Sequence, residues 1–431
     1  MRIGIFPVLN RSGGGHYQYS LTFLQALSHS SKLHNDEFVI FADDIEQPEL
    51  LPSGSQWSIR PARPFSLKRA AKGVLRKIVG EEGLFGIWEK YRTQLSVPDP
   101  DAKSTQPRMR DWLINMGIEL ILYPSANPLS FEAGIPYVIA IHDLQHLLQP
   151  EFPENSQNDE VQWREYVFRN GVRYATFILA DSEVGKEDIL HFYGSYGVTP
   201  DRVKVLPFLP ASYLPTQISQ HEIERVRKRY SLPDRYLFYP AQFWPHKNHL
   251  RIFKALAMLK HESGLSIPIV LSGSFAGQIR KKTYEELNQF AQENGINDQI
   301  LYPGYLPETD MAPFYAGAAA LVMPTFHGPT NIPVLEAWAY GCPVITSDLR
   351  GIREQAGDAA ILVDPRSERQ IADAISKIWT DENCRLELAH KGRSRLASYT
   401  PEDFETQLTN VILEAKELIG DTRQQNLAGR R

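Results

Sequence analysis

Cysteine is nearly absent: Cys342 and Cys384 are the only two in 431 residues. Two such residues cannot build a disulfide framework, and no Cys/His grouping at zinc spacing accompanies them, so a reducing cytoplasm is the expected home. A basic excess is missing as well. The formal net charge of −5 argues against general nucleic-acid binding, which needs a basic face to neutralise phosphates. No apolar run approaches the roughly 20 residues that span a bilayer. Met1-Arg-Ile-Gly-Ile-Phe6 begins on a strand pattern without the charged and apolar regions of a signal peptide, so a protein not integral to a membrane is expected.

What is present is a chain too long for one ordinary core, and two domains are the default. Near-continuous apolar runs recur at Ile3–Val8, Glu119–Tyr123, Tyr137–Ile141, Phe177–Ala180 and Val203–Leu206. They resume at Tyr236–Tyr239, Ile267–Leu271, Ile300–Tyr302, Leu321–Met323, Val344–Thr346 and Ile361–Val363. Helix-length polar stretches separate them. That alternation predicts parallel sheets covered on both faces, hence two open α/β domains. Pro210, Pro215 and Pro233 place the boundary between Leu209 and Tyr236, with a helix over His221–Arg229 inside that stretch. The expected division is 1–212, 213–398, a final helix over 399–420 begun by Thr400-Pro-Glu-Asp403 and stopped by Gly420, and a mobile tail over 421–431.

The most informative stretch is Phe326-His-Gly-Pro-Thr-Asn-Ile-Pro-Val-Leu-Glu-Ala-Trp-Ala-Tyr-Gly-Cys-Pro-Val-Ile345. A buried strand over 318–323 runs into a loop over 324–331, and Pro333 opens a helix that Gly341 closes. A loop therefore delivers a ligand to a helix N-terminus, whose free N–H groups and partial positive charge suit a phosphate. Glu336 is expected in the first turn. Either it complements the dipole or it has a ligand to hold; with Pro333 where a capping Ser or Thr would stand, no capping box accounts for it.

Other loops fall where ligands bind in open α/β sheets, outside the carboxyl ends of the strands. Asn10-Arg-Ser-Gly-Gly-Gly-His16 is either a tight turn or a phosphate cradle of low specificity, lacking the spacing of a dinucleotide fingerprint or a P-loop. Lys247, just before a helix over His249–Lys260, supplies a cation suited to a phosphate leaving group. His142 ends a strand and is followed by Asp143 and His146. A neutral histidine hydrogen-bonding a substrate hydroxyl is favoured over a metal pair with His146, because no third ligand is suggested nearby. Ser66–Val79 is the most basic segment, an amphipathic helix that reads as a solvated face with a packed stripe, a contact with an anionic membrane surface being the alternative.

These motifs resemble the family 4 retaining glycosyltransferases of the GT-B fold, over Ile3 to about Ile419. Asn331-Ile-Pro-Val-Leu-Glu336-Ala-Trp-Ala-Tyr-Gly341-Cys-Pro-Val-Ile345 carries the strongest likeness; Gln242-Phe-Trp-Pro-His-Lys247-Asn248 resembles the donor-phosphate loop and Ile141-His-Asp143 the histidine loop near the reacting sugar. The resemblance implies two Rossmann-like domains facing a central cleft, with the C-terminal helix crossing back to the first. It implies that Glu336 holds the donor ribose, that amides of Thr330, Asn331 and Ile332 meet the sugar and diphosphate, and that Lys247 stabilises the departing phosphate. Gly273, Gly304 and Tyr305 would lie near phosphate and base, and Gly14, Gly15 and His16 near phosphate or acceptor. Two positions depart from the family: the first of its two glutamates falls on Gly328, and its frequent loop arginine on Gln242.

The expected function is retaining transfer of a sugar from a UDP- or GDP-linked donor to a carbohydrate or glycolipid hydroxyl, with no metal or other cofactor. The expected catalytic set is Lys247, His142 and Glu336. A non-catalytic nucleotide-sugar-binding or assembly protein, and an epimerase on the same fold, are the alternatives. Donor sugar, acceptor and oligomeric state are not written in the sequence.

Overall fold

The computed structural model describes residues 1–43, 45–63, 99, 101 and 105–428; the basic segment Ser66–Val79 lies outside them. The chain forms two compact units. The first comprises Met1–Leu148, Gln157–Ser212 and Thr400–Arg431, and the second Gln149–Ser156 and Tyr213–Tyr399.

In the first unit, β1 (Arg2–Ile5), β2 (Glu37–Phe41), β3 (Trp57–Arg60), β4 (Leu120–Tyr123), β5 (Tyr137–Ala140), β6 (Phe177–Ala180) and β7 (Val203–Val205) form one sheet in the order β3-β2-β1-β4-β5-β6-β7, every pair parallel. The second unit repeats the architecture with β8 (Leu237–Pro240), β9 (Ile269–Ser272), β10 (Ile300–Leu301), β11 (Ala320–Met323), β12 (Val344–Ser347) and β13 (Ile361–Val363), ordered β10-β9-β8-β11-β12-β13 and again parallel. Helices cover parallel sheets on both faces, so β4, β5, β6, β9, β11 and β12 are buried at every position, which is why they read as unbroken apolar runs.

Two strands are absent from the sequence-based expectation. β2 carries the same signature as the others, with Phe38 to Phe41 all buried. β3 is different: it is a half-exposed edge strand whose Trp57 stacks on Phe38 at 4.5 Å, and a short edge has little apolar signal to show.

Two domain boundaries need correction. Residues 149–156, expected in the first domain, belong to the second unit because their side chains are bound there. Gln149 Nε2 donates to the Phe326 carbonyl at 2.7 Å, and Phe152 packs on Phe326 at 5.2 Å between ring centres. The final helix also runs further than expected, over Pro401–Ala428. Gly420 keeps its backbone N–H and carbonyl, is not in a left-handed conformation, and so weakens the helix by about 1 kcal/mol without ending it. This helix starts on the expected Thr400 cap, with the Asp403 N–H donating to the Thr400 hydroxyl at 3.2 Å. It belongs to the first unit: Lys416 bonds Asp36 at 2.6 Å, Thr409 bonds Ser30 at 2.8 Å, and Phe404 meets Tyr19 edge-on.

Candidate active site

The second sheet reverses its order between β8 and β11. Chains leaving two such neighbouring strands diverge to opposite faces and leave a crevice at their carboxyl ends. Here the departing loops are residues 241–248 and 324–331. They are joined: the His246 carbonyl accepts the Phe326 N–H at 2.8 Å and the Thr325 hydroxyl at 3.2 Å, and the buried Asn248 amide donates to the Pro324 and Pro365 carbonyls, both at 2.7 Å. The rings of His246 and His327 stack at 3.4 Å and 6°.

Lys247 is held on both sides of its backbone. Its N–H donates to the Trp244 carbonyl at 3.0 Å and its own carbonyl accepts the Tyr239 hydroxyl at 2.9 Å. Asn248 then takes a left-handed conformation, φ 63°, turning the chain into the helix His249–Ser263. From the displaced segment, Glu154 accepts both the His246 backbone N–H, at 2.9 Å, and a hydrogen bond from its ring.

The loops after β9 and β10 join this surface. Gly273 has φ +149°, and a Cβ there would lie 2.4 Å from the Ala241 carbonyl oxygen, so only glycine lets the two loops meet. The Ser272 hydroxyl donates to Gly304 at 3.0 Å, and the Tyr302 hydroxyl to Gly273 at 2.6 Å. Tyr305 stands exposed beside them. Into the same loop cluster the helix Gln278–Glu293 inserts Arg280. This buried guanidinium donates to the Gln242 side-chain oxygen at 2.7 Å and lies 4.6 Å above the Trp244 ring. The cation absent at Gln242 in sequence is present beside it in space.

The helix after β11 spans Ile332–Ala339, with Asn331 as its extended N-cap and Pro333 in its first turn. Gly341 follows in the left-handed region. Glu336 is the fifth helical residue, beyond the first turn, where its carboxylate is buried and accepts the Tyr315 hydroxyl at 2.7 Å. The expectation of a first-turn acid is therefore corrected, and dipole complementation no longer accounts for it. Burial, and then Glu336 itself, push the Tyr315 hydroxyl pKa well up, keeping it a donor. The Asn331 amide is a second correction: its N–H donates to Gln355 at 2.9 Å, and Gln355 returns a bond to the Asn331 carbonyl at 2.9 Å. In this structure that amide is given to the protein, while Thr330 and Ile332 flank it. At Gly328 a Cβ would meet nothing nearer than Ile352 Cγ1 at 3.7 Å.

Residues 221–395 match the family model described as glycosyl transferases group 1. The matched residues lie within the second unit. Over 276 residues the chain is 26% identical to O-antigen chain mannosyltransferase B of Escherichia coli, covering 64% of this chain and 69% of that one. It is 24% identical over 267 residues to the serotype-specific mannosyltransferase WbdA of Escherichia coli, covering 61% of this chain but only 31% of that one, so the match spans about a third of WbdA. Among solved structures, Anabaena HepE in complex with UDP and glucose matches with a TM-score of 0.64 and 16% identity, over 96% of this chain and 100% of that one. That likeness shows the GT-B fold.

The first unit has its own reversal, between β1 and β4. Gly14, at φ 55° and ψ −121°, caps the helix Gly15–His29 in a conformation only glycine adopts readily. His16 follows, its Nδ1 3.0 Å from the Ser125 hydroxyl. His142 Nε2 lies 2.8 Å from the Pro124 carbonyl, which can only accept, so the proton is assigned to Nε2 and Nδ1 is left as an acceptor. Its ring packs against Tyr19 at 4.6 Å and His16 at 5.1 Å. Burial pulls the His142 pKa down to about 3 and His16 adds to this, against the Pro124 carbonyl and Asp143. The imidazole is neutral at pH 7. His146 turns away to Glu165, 3.0 Å from its Nε2, and lies in a helix, Gln145–Leu148, that does not include His142. The two histidines do not converge, and among the described residues no group of three or more His, Cys, Asp or Glu is placed to hold a metal ion. No described helix is long and apolar enough to cross a membrane.

Arg280, Glu154, Tyr315 and Gln355 are the participants not expected from sequence. Each acts through a side chain brought in from another element, and no local pattern announces that.

Proposed function

We propose that the protein transfers a sugar, with retention, from a nucleoside diphosphate sugar to a hydroxyl of a carbohydrate or glycolipid. The observation that supports this reading is the joined loop pair at the β8–β11 reversal, with Lys247 in the first loop, Arg280 bonded to Gln242 of that same loop, and the Ile332–Ala339 helix leaving the second. Two cations and a helix N-terminus suit a diphosphate, and a leaving diphosphate gains charge as the reaction proceeds. The names of the relatives, an O-antigen chain mannosyltransferase and a serotype-specific mannosyltransferase, and the UDP and glucose held by HepE support a nucleotide sugar donor and a saccharide acceptor.

In the proposed mechanism the acceptor oxygen attacks the anomeric carbon from the face the phosphate is leaving. The C–O bond to phosphate breaks as the new glycosidic bond forms, and the departing phosphate oxygen takes the acceptor proton. Lys247 and Arg280 take up the developing negative charge, so no metal is required for that purpose. Glu336 holds ribose hydroxyls, with Tyr315 fixing its carboxylate. His142, neutral and accepting at Nδ1, receives a hydrogen bond from a sugar hydroxyl.

The test is a thermal-shift panel of nucleotide sugars with and without magnesium, followed by nucleotide release on the best binder. Specific stabilisation with slow, magnesium-independent release is expected. No stabilisation by any nucleotide sugar or free nucleotide would overturn the reading.

A further inference from the structure

His249 is a buried polar side chain that the second unit leaves unbonded. It is 1% exposed, and neither ring nitrogen has a hydrogen-bond partner among the described residues. Two aromatic rings pack against it, Tyr239 and Phe243, each 4.8 Å away between ring centres at 31° and 25°. Burial, and then the Lys247 ammonium, bring its pKa down to about 3 against an opposing pull from the Ala241 carbonyl. The imidazole is therefore neutral and carries one N–H. Such a slot suits phenylalanine better than histidine, because a buried donor without an acceptor costs stability and an apolar ring of the same shape does not. Local departures of this kind are expected where a residue serves function.

Both ring neighbours help to place Lys247. The Tyr239 hydroxyl donates to the Lys247 carbonyl at 2.9 Å. Phe243 belongs to the 241–248 loop itself, its N–H donating to the Ser274 carbonyl at a long 3.3 Å. The first half of that loop is built from two three-residue turns, Ala241 N–H to the Tyr239 carbonyl at 3.2 Å and Trp244 N–H to the Gln242 carbonyl at 2.8 Å. Phe243 also lines a cavity of about 140 Å³, with Leu271, Leu287, Ala291 and Tyr302. A ring bordering such a space can shift into it, since it has few partner atoms to lose on that side. The Ala241 carbonyl, near enough to act on His249 but not bonded to it, opens the same loop.

Resting on the transferase reading above, we propose that His249 is a positioning residue for Lys247: as a diphosphate draws the Lys247 ammonium, Phe243 shifts towards the cavity and the His249 N–H takes the Ala241 carbonyl. The bond forms only with the loop in its working position. Its free energy then goes into holding Lys247 at the leaving phosphate rather than into fold stability. His249 itself touches neither sugar nor phosphate.

The experiment pairs two variants with NMR on the full chain. His249→Phe keeps an aromatic ring and removes the N–H. Its Tm should equal or exceed the parent's, while kcat for nucleotide release falls about tenfold and donor KM changes little. His249→Gln keeps a donor but loses the ring, so it should melt below His249→Phe and yet turn over faster. A residue that only packs gives the reverse order, activity following Tm, and that result overturns the inference, as does a His249→Phe enzyme with normal kcat. The parent protein supplies a reading that no variant has to survive. With isotope-labelled histidine, the His249 ring N–H, assigned by its loss in His249→Gln, should move downfield on addition of inorganic pyrophosphate, as a donor does on gaining an acceptor. Pyrophosphate that shifts other resonances and leaves this one in place overturns the inference alone. If neither pyrophosphate nor any nucleotide sugar binds, the transferase reading fails and this inference falls with it.

Discussion

Glu154 gives the sharpest test of how the Lys247 loop is held. Its carboxylate accepts the backbone N–H of His246 at 2.9 Å and a second bond from the His246 ring, and both side chains are largely buried, 7% and 9% exposed. Glu154→Ala removes one acceptor and leaves two buried donors. Each orphaned donor costs about 1–3 kcal/mol, so two cost roughly 4 kcal/mol at the middle of that range. For a unit of about 200 residues, 1 kcal/mol moves Tm by roughly 2–4 °C, so a fall of about 8–16 °C is expected by calorimetry. Glu154→Gln keeps an amide oxygen able to accept one of the bonds, and about half that loss is expected.

The functional consequence follows from sequence adjacency. Lys247 is the next residue, and a loosened loop misplaces its ammonium relative to the phosphate, so kcat should fall by about 10- to 100-fold with a smaller change in donor KM. A Glu154→Ala protein that melts within about 1 °C of the parent and turns over normally would show that this carboxylate does not hold the loop. Equal losses for the Ala and Gln variants would refute the assignment of the stabilisation to an acceptor rather than to bulk.

Lys247→Ala and Arg280→Ala should each lower kcat by about 10²–10³-fold in nucleotide-release assays, and Arg280→Lys should recover little, since a point charge cannot reproduce the guanidinium lying over Trp244; normal turnover in either alanine variant removes that residue from the mechanism. Glu336→Ala should sharply weaken donor binding in calorimetric titration, and Tyr315→Phe should weaken it by about 1.5–3 kcal/mol or less, the range for a hydrogen bond to a charged group; unchanged affinity in Glu336→Ala would end its ribose role. The Glu165 carboxyl has its pKa brought down to about 2, hydrogen bonds from His146, Tyr193 and Arg169 outweighing the desolvation that would raise it. A folded value below the unfolded one stabilises the protein above the unfolded value, and that stabilisation is lost as pH falls from 4.5 towards 2. Glu165→Gln should therefore unfold with a shallower acid slope and forfeit up to about 3 kcal/mol at pH 7, measurable by denaturant titration at several pH values; an unchanged slope would contradict the assignment.

The sheets were legible because a parallel strand buried on both faces leaves an unbroken apolar run, as at Leu120–Tyr123 and Ala320–Met323. The same property places the loops, because topology alone fixes which strand ends flank a reversal. Gln242, Lys247, Gly273, Gly304, Thr330 and Asn331 could thus be nominated from position. What sequence could not carry were the side chains that complete each loop from a distance. Arg280 is the third residue of a helix with no distinguishing pattern, and it matters only because it meets Gln242, 38 positions away. Glu154 belongs by order to the first half of the chain and by bonding to the second. Glu336 was misplaced by a single residue because Ile332, not Pro333, opens its helix. That residue carries it past the first turn, where its carboxylate is buried against Tyr315.

Gly328 decides between two accounts of the departure from the glutamate motif. Its backbone does not require glycine, and a Cβ there has only Ile352 Cγ1 at 3.7 Å and the Thr330 nitrogen at 4.0 Å nearby, so Gly328→Glu should fold with a stability change within about 1 kcal/mol. If the site has merely lost an acid it still needs, restoring one should raise turnover by tenfold or more. If instead His327, Thr330 and Asn331 already serve the sugar, the new carboxylate would meet the proposed donor diphosphate as a like charge. The second account follows from the way His327 is built in: it is stacked on His246 at 3.4 Å, and its Nε2 lies 3.2 Å from the Asn155 amide. A side chain fixed from two directions is a working part of the loop, not a remnant. The expectation is that Gly328→Glu weakens donor binding in titration calorimetry and does not accelerate nucleotide release. A faster Gly328→Glu enzyme would refute it and mark the natural sequence as an impaired form of the site.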